Sequence, residues 1–176
     1  LPVQGHAFVN AVERIAGDVM RLELELAEGC WFDFRPGQFI QVKVPGTDAM
    51  RSYSIATTPA DLPRIELLIR LLAGGTMSRW LLEVARADDA LEISGPYGAF
   101  FLQEGVKAPH ILIAGGTGLA PMMAMIDTLR ARPGRKPPVL LSFGCQSAEG
   151  MFFRDAIELR QHWLPTLDVV LSVDRG

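Results

Sequence analysis

The chain has 176 residues with 17 basic and 20 acidic side chains, a net charge of −3, which suits one large domain or two small ones. Hydrophobic residues make up 49% and charged residues 21%, so a core can form and a disordered tail is excluded; the mild acidic balance also excludes a general nucleic-acid binder, which needs a basic face. The two cysteines, Cys30 and Cys145, are too few for a disulfide framework and too far apart for a paired metal-ligand motif. A zinc ribbon and a Cys-ligated iron–sulfur cluster are thereby excluded, no metal site is expected, and a reducing, cytoplasmic setting is the simplest one.

The opening residues, LPVQGHAFVN, lack the basic region and apolar run of a signal peptide, and none is expected. Leu22, Leu24 and Leu26 alternate with Arg21, Glu23 and Glu25, the period of a strand with one buried face. Ile40, Val42 and Val44 repeat that pattern between the Pro36-Gly37 and Pro45-Gly46 turns. Further strands are predicted over residues 51–56 and 64–72, and this spacing of strands and turns points to an antiparallel barrel. One helix, over residues 77–84, puts Trp80, Leu81 and Val84 on a common face. Residues 91–94 resume as strand and are expected to end at Gly95-Pro96-Tyr97-Gly98.

The character changes near Gly105. Strands over 110–114, 139–143 and 167–173 alternate with helices over 120–130 and 150–162, the order of parallel α/β units. Residues 1–105 carry 9 basic and 14 acidic side chains, net −5, and residues 106–176 carry 8 and 6, net +2, so charge divides along the same line. Residues 108–126 contain no formal charge and have the length of a membrane span, but Gly115, Gly116, Gly118 and Pro121 interrupt them; a strand, a tight loop and a helix start are expected instead.

Three clusters stand at the ends of predicted elements. In Gly115-Gly116-Thr117-Gly118-Leu119-Ala120-Pro121, a strand runs into glycines that let backbone amides approach an anion, and Pro121 falls in the first helical turn, where a missing N–H costs nothing. No Gly-Lys-Ser/Thr follows and Pro121 replaces the last glycine of the usual dinucleotide fingerprint; a simple tight turn is the alternative. Gly74-Gly75-Thr76-Met77-Ser78 opens the lone early helix, where free amides of Thr76, Met77 and Ser78 can hold a phosphate, although an ordinary N-cap has the same composition. In Arg51-Ser52-Tyr53-Ser54 a guanidinium and an aromatic ring share one strand face, a pairing that suits a phosphate beside a flat ring or a plain surface contact.

Taken in order, Arg51-x-Tyr53-Ser54, Ile69-Arg70 followed by Gly75-x-x-Ser78, Gly95-Pro96-x-Gly98, and Gly115-Gly116-Thr117-Gly118-x-x-Pro121 resemble the ferredoxin–NADP reductase superfamily, in particular reductase components of oxygenases and NAD(P)H-flavin reductases. The resemblance covers nearly the whole chain and implies a flavin-binding barrel, residues 1–105, followed by an NAD(P)-binding α/β domain, residues 106–176. In the family a further helix and strand follow, so the second domain is expected to be a first part only. Arg51 then pairs with flavin phosphates, Tyr53 stacks on the ring system of FAD, and Ser54 hydrogen-bonds near its reactive nitrogen. Ile69 and Arg70 line the pyrimidine side with backbone groups, and Gly75, Thr76, Met77 and Ser78 grip the pyrophosphate. Gly115, Gly116, Gly118 and Pro121 hold the nicotinamide dinucleotide, with Thr117 close to the two rings; Ser54 and Thr117 are the candidate catalytic residues.

Gly144 and Gln146 match the family's second nucleotide-contacting turn, where a basic residue often replaces Gln146. Asp174 falls where the family reads the adenosine ribose, and its charge repels a 2′-phosphate, which favours NADH over NADPH, while Arg175 acts in the opposite sense. The implied activity is hydride transfer from NAD(P)H to bound FAD and onward electron transfer to an iron–sulfur protein or domain serving an oxygenase. The alternatives are a flavin reductase that releases reduced flavin, and a flavin-bearing electron-transfer subunit of a larger complex. His6, His110 and His162 show no triad or metal spacing, and Arg130, Arg132, Arg135 and Lys136 fall after a helix end, where the macrodipole favours cations.

Overall fold

The structure is a computed structural model that describes residues 1–175. Six strands form the first sheet: β1 (Val3–Ala16), β2 (Val19–Leu26), β3 (Phe39–Lys43), β4 (Met50–Ser54), β5 (Arg64–Arg70) and β6 (Ala90–Tyr97). Their spatial order is β4-β3-β6-β1-β2-β5, every pairing is antiparallel, and a bridge between Ile55 and Leu67 joins the two outer strands into a closed barrel. Closure removes the unpaired edges that an open sheet would expose. The alternating residues point inward as their period requires: Leu22, Leu24, Ile40, Val42, Ile65, Leu67, Leu91 and Ile93 form one continuous core.

The longest strand, β1, has no counterpart among the predicted elements. Its ladder to β2 shifts register between Val9 and Ala11 and again between Arg14 and Ala16, so strict alternation fails and only Ala7 and Val9 are buried. Bulges of this kind break the pattern a sequence reader relies on. The core also explains Cys30: a Cβ on Gly5 would lie 2.3 Å from its sulfur, so the thiol fills a space that only glycine leaves open.

Two predicted boundaries move. The strand expected to end at Ser94 continues to Tyr97, because Gly95 pairs with Val3 and Tyr97 with Phe39; the register shift between Phe39 and Gln41 accommodates Pro96. In α1 (Thr76–Glu83), Trp80 and Leu81 are buried as expected, but Val84 lies past the helix end and is exposed.

The second sheet is parallel, with β7 (His110–Gly115), β8 (Val139–Ser147) and β9 (Leu167–Arg175) in chain order, and α2 (Leu119–Ala131) and α3 (Arg154–Trp163) as crossovers. Leu112, Leu141, Phe143 and Leu167 pack with Met122, Met123, Met125 and Ile126 of α2 and Ile157 of α3, and Arg160 clamps Asp127 with two hydrogen bonds of 2.7 and 2.9 Å. Helix α3 starts at Arg154 rather than Gly150. Residues Ala148–Gly150 form a 3₁₀ turn, Phe152 is drawn into the core against Phe143 at 5.4 Å, and Phe153 adopts a left-handed φ of 62° before the helix can begin. No helix among the described residues is long and apolar enough to cross a membrane.

Barrel and parallel sheet share packing. Val19, Ala56 and Leu68 of the barrel belong to the same buried cluster as α2. Gly37, at φ +113°, is pressed against the backbone of Phe100 and Phe101 and the side chain of Met125.

Candidate functional site

The C-terminal ends of β7, β8 and β9 face the turn between β1 and β2 and the end of β5 across a cavity of about 560 Å³. Open parallel sheets bind ligands at this end of their strands. Seven of the expected residues meet here: Arg70, Gly115, Gly116, Thr117, Gly144, Gln146 and Asp174. Gly115, Gly144 and Ser172 lie side by side in the register, and a Cβ on Gly144 would come within 3.0 Å of the Ser172 hydroxyl.

The glycine loop has a different character. A Cβ at Gly115, Gly116 or Gly118 would meet nothing within 4 Å, so protein packing does not demand glycine at any of them. Gly116 adopts a left-handed φ of +54° and begins a 3₁₀ turn, Gly116–Gly118, that feeds α2, with Pro121 buried in the first helical turn. The space left by the missing side chains adjoins the cavity at Gly115 and Gly116, where a ligand backbone can approach closely.

The barrel side of the cavity carries a pair absent from the sequence reading. Arg70 ends β5, and its Nε lies 3.5 Å from Oδ2 of Asp18 in the β1–β2 turn. The sequence reading had Arg70 contribute backbone groups on the flavin side; its side chain lines this cleft. Asp18, Ser147 and Glu149 also line the cavity and were missed, and Cys145 lies between the expected Gly144 and Gln146. Only Gly17-Asp18 before the Leu22 strand, and Glu149-Gly150 after the strand over 139–143, offered a local signal. Burial pushes the Cys145 thiol up, the charge of Asp18 adds to that shift, and the backbone amides of Gly116 and Phe152 oppose it. The group stays a thiol at neutral pH and acts as a wall of the cavity.

Of the remaining expected residues, Gly118 and Pro121 lie in the turn and helix behind the glycine loop, and the others lie on the barrel, in β4, at the end of β5 and at the start of α1. On β4, Tyr53 is half-buried against the barrel core while Arg51 is exposed. Burial pushes the Tyr53 phenol up to about 12, and the nearby Arg51 charge opposes the shift, so guanidinium and ring are neighbours. The Arg51 Nη1 donates to the Met50 carbonyl at 3.0 Å and has no carboxylate partner among the described residues. Ser54 pairs with Phe39 at the end of the strand. At α1, the N-cap Gly75 offers no side chain, and the Thr76, Met77 and Ser78 amides have no acceptor within the helix. Met77 and Ser78 turn their side chains inward, and the Ser78 hydroxyl accepts from the Leu72 amide at 2.8 Å; a Cβ at Gly75 would crowd Leu72 and Ser78 at 3.1–3.4 Å. Ile69 is buried in the core.

An exposed cation beside a half-buried ring, with three free amides at a helix start, suits a flavin nucleotide; the glycine-lined cleft suits a second nucleotide. Residues 6–102 match the oxidoreductase FAD-binding domain family and residues 112–174 the oxidoreductase NAD-binding domain family. The chain belongs to the FAD-binding oxidoreductases. It is 35% identical over 171 residues to methane monooxygenase component C of Methylosinus trichosporium, covering 95% of this chain and 50% of that protein. It is 35% identical over 158 residues to the propane 2-monooxygenase reductase component of Mycolicibacterium goodii, covering 89% and 45%. The chain spans about half the length of the curated relatives it matches. Among solved structures it superposes on the Amycolatopsis cytochrome P450 reductase GcoB with a TM-score of 0.91 and 33% identity, over 99% of this chain and 53% of that one. The ferredoxin-NADP+ reductase of Plasmodium falciparum shares the fold alone, at a TM-score of 0.83 and 17% identity, over 96% of this chain and 70% of that one. The two-layer architecture of this oxidoreductase is thus the ferredoxin–NADP reductase fold, and its ligands are FAD and a pyridine nucleotide.

Proposed function

We propose that this chain is the flavin- and nucleotide-binding part of an NAD(P)H-dependent reductase that passes electrons to an iron–sulfur protein or domain serving an oxygenase. The observation that carries the reading is the cavity between barrel and parallel sheet, where the glycine loop of β7 faces the barrel's Arg70. Relatives named as a monooxygenase reductase component and a dioxygenase electron transfer component support the oxygenase context. The division falls between residues 105 and 106, in the connection between β6 and β7. Free, buried Cys30 and Cys145 are in keeping with a reducing, cytoplasmic setting.

The residues present fit FAD. Among the described residues Arg51 has a guanidinium without an acidic partner, the start of α1 supplies amides of Thr76, Met77 and Ser78 with no acceptor in the helix, and crowding at Gly75 explains why the loop before them carries no side chain there. The chemistry a bound flavin supplies is acceptance of a hydride and release of its electrons singly or as a pair. The chain's own task is orientation. Tyr53 would offer a ring face, Arg51 and the α1 amides would neutralise phosphate charge, and the Ser54 hydroxyl would hydrogen-bond to the flavin ring system. Across the cleft, Gly115 and Gly116 would form the approach for the dinucleotide's pyrophosphate, Thr117 lines the same cavity, and Gly118 and Pro121 shape the turn and helix start behind them. Gly144 and Gln146 flank the adenosine end.

NADH is the preferred donor. Asp174 and Glu149 stand at the strand ends, and both repel a 2′-phosphate, whereas the ribose diol of NADH donates hydrogen bonds to a carboxylate. An absorption spectrum of the purified chain, before and after anaerobic NADH and then NADPH, tests the proposal. A flavin spectrum bleached by NADH and not NADPH is expected. A colourless protein that takes up no added FAD refutes the flavin site, and loss of flavin on gel filtration points instead to a reductase that releases reduced flavin.

A further inference from the structure

We propose that Asp18 is a positioning residue for the dinucleotide: it holds the Arg70 guanidinium so that its terminal nitrogens meet the pyrophosphate in the cleft. This rests on reading the cleft as the dinucleotide site. Asp18 is itself fixed from two sides. The Leu71 amide donates to its carbonyl at 2.7 Å, and the neighbouring Gly17 carbonyl accepts from Arg14 Nε at 3.1 Å and also from Arg14 Nη2. The turn between β1 and β2 is therefore tied both to its own strand and to the residue that follows Arg70.

The contact geometry favours orientation over simple neutralisation. Asp18 approaches Arg70 at Nε, 3.5 Å away, and among the described residues neither Nη makes a hydrogen bond. A carboxylate on the Nε edge leaves the outer fork free, and that fork suits two oxygens of an anion at once. Asp18 is otherwise out of place. Glu149 and Asp174 already make the cavity acidic at the strand ends, Arg70 is the one cation among its described lining side chains, and a further carboxylate beside that cation works against anion binding unless it improves the cation's placement. An arginine stem loses much rotamer freedom on binding, and pinning one edge in advance reduces that loss.

The test is a double-mutant cycle on the full chain, read by calorimetric binding of ADP-ribose, which carries the pyrophosphate and lacks nicotinamide. D18N is expected to weaken ADP-ribose about fivefold, the upper range for a half-exposed ion pair. D18E is expected to restore most of the affinity, and D18N to have no effect in an R70Q background. Thermal unfolding of each variant checks that the fold is kept. Unchanged or tighter binding by D18N, or a loss that persists in R70Q, overturns the role of Asp18 while leaving the cleft assignment intact. If the unaltered chain fails to bind ADP-ribose, or R70Q binds it equally well, the assignment of the cleft itself falls and the proposal with it.

Discussion

Replacing Gly115 by alanine separates a site built for a ligand from one built for packing. Gly115 has φ −123° and ψ 131°, ordinary extended values for any residue, and an added Cβ would meet no protein atom within 4 Å. A glycine-to-alanine change at such a position restricts the unfolded chain and is expected to raise stability by about 0.4–1 kcal/mol. Gly115, however, lines the cavity, and an added methyl would stand in open space there. If a dinucleotide backbone lies against that surface, accommodating the methyl costs about 1–3 kcal/mol, as overpacking does in a filled interior. The dissociation constant for ADP-ribose or NADH should then rise roughly five- to 150-fold. Thermal unfolding and titration calorimetry on the same preparation read both quantities. A variant that is as stable as the parent and binds the nucleotide equally well refutes the reasoning, because the glycine would then serve neither packing nor ligand.

Three other outcomes follow from the packing and charge. Gly37→Ala introduces a Cβ 2.5 Å from the Phe100 carbonyl and 2.7 Å from the Phe101 Cα at a φ of +113°, and chemical denaturation should register a loss of roughly 3 kcal/mol or more from strain and forced repacking together. Asp127→Ala strips Arg160 of a two-point partner at a site where both side chains are about four-fifths covered, and the same measurement should show a loss of roughly 1–3 kcal/mol from the unpaired guanidinium. The Tyr53 phenol ionises near pH 12 in the folded chain against a reference of 10.0. The folded state therefore holds a proton that the unfolded state gives up, so this contribution to stability is complete below about pH 10 and is lost as pH climbs towards 12. An ultraviolet titration of the flavin-free chain against Tyr53→Phe checks it, and a Tyr53 transition at the reference value refutes the burial argument.

The elements that were legible in the sequence are those whose signal is local. Strict alternation in Leu22, Leu24 and Leu26, and in Ile40 and Val42, corresponds to inward-facing barrel positions, and the glycine loop before Pro121 corresponds to a strand, a tight turn and a helix start. Strand β1 was not legible because two bulges scramble its alternation and its buried residues are few. Residues 150–153 read as helix by composition, yet the burial of Phe152 against Phe143 takes that stretch out of helical conformation. The helix over residues 120–130 was legible, and its Met122, Met123, Met125 and Ile126 pack against the parallel sheet.

The site divides along the same physical line. Residue type and short spacing by themselves singled out candidate groups: a guanidinium two residues from an aromatic ring, glycines before a helix start, and a carboxylate at a strand end are recognisable because each rests on backbone geometry a few residues long. Which of them face one another was decided only in three dimensions. Arg70 and Gly115 are far apart in the chain and meet across one cavity because barrel and sheet pack through Gly37, Val19 and Leu68. Asp18 joins them because a hairpin turn happens to be tied beside the end of β5. Side-chain direction at a strand end depends on register and on the neighbouring layer, and neither is encoded in the few residues around Arg70.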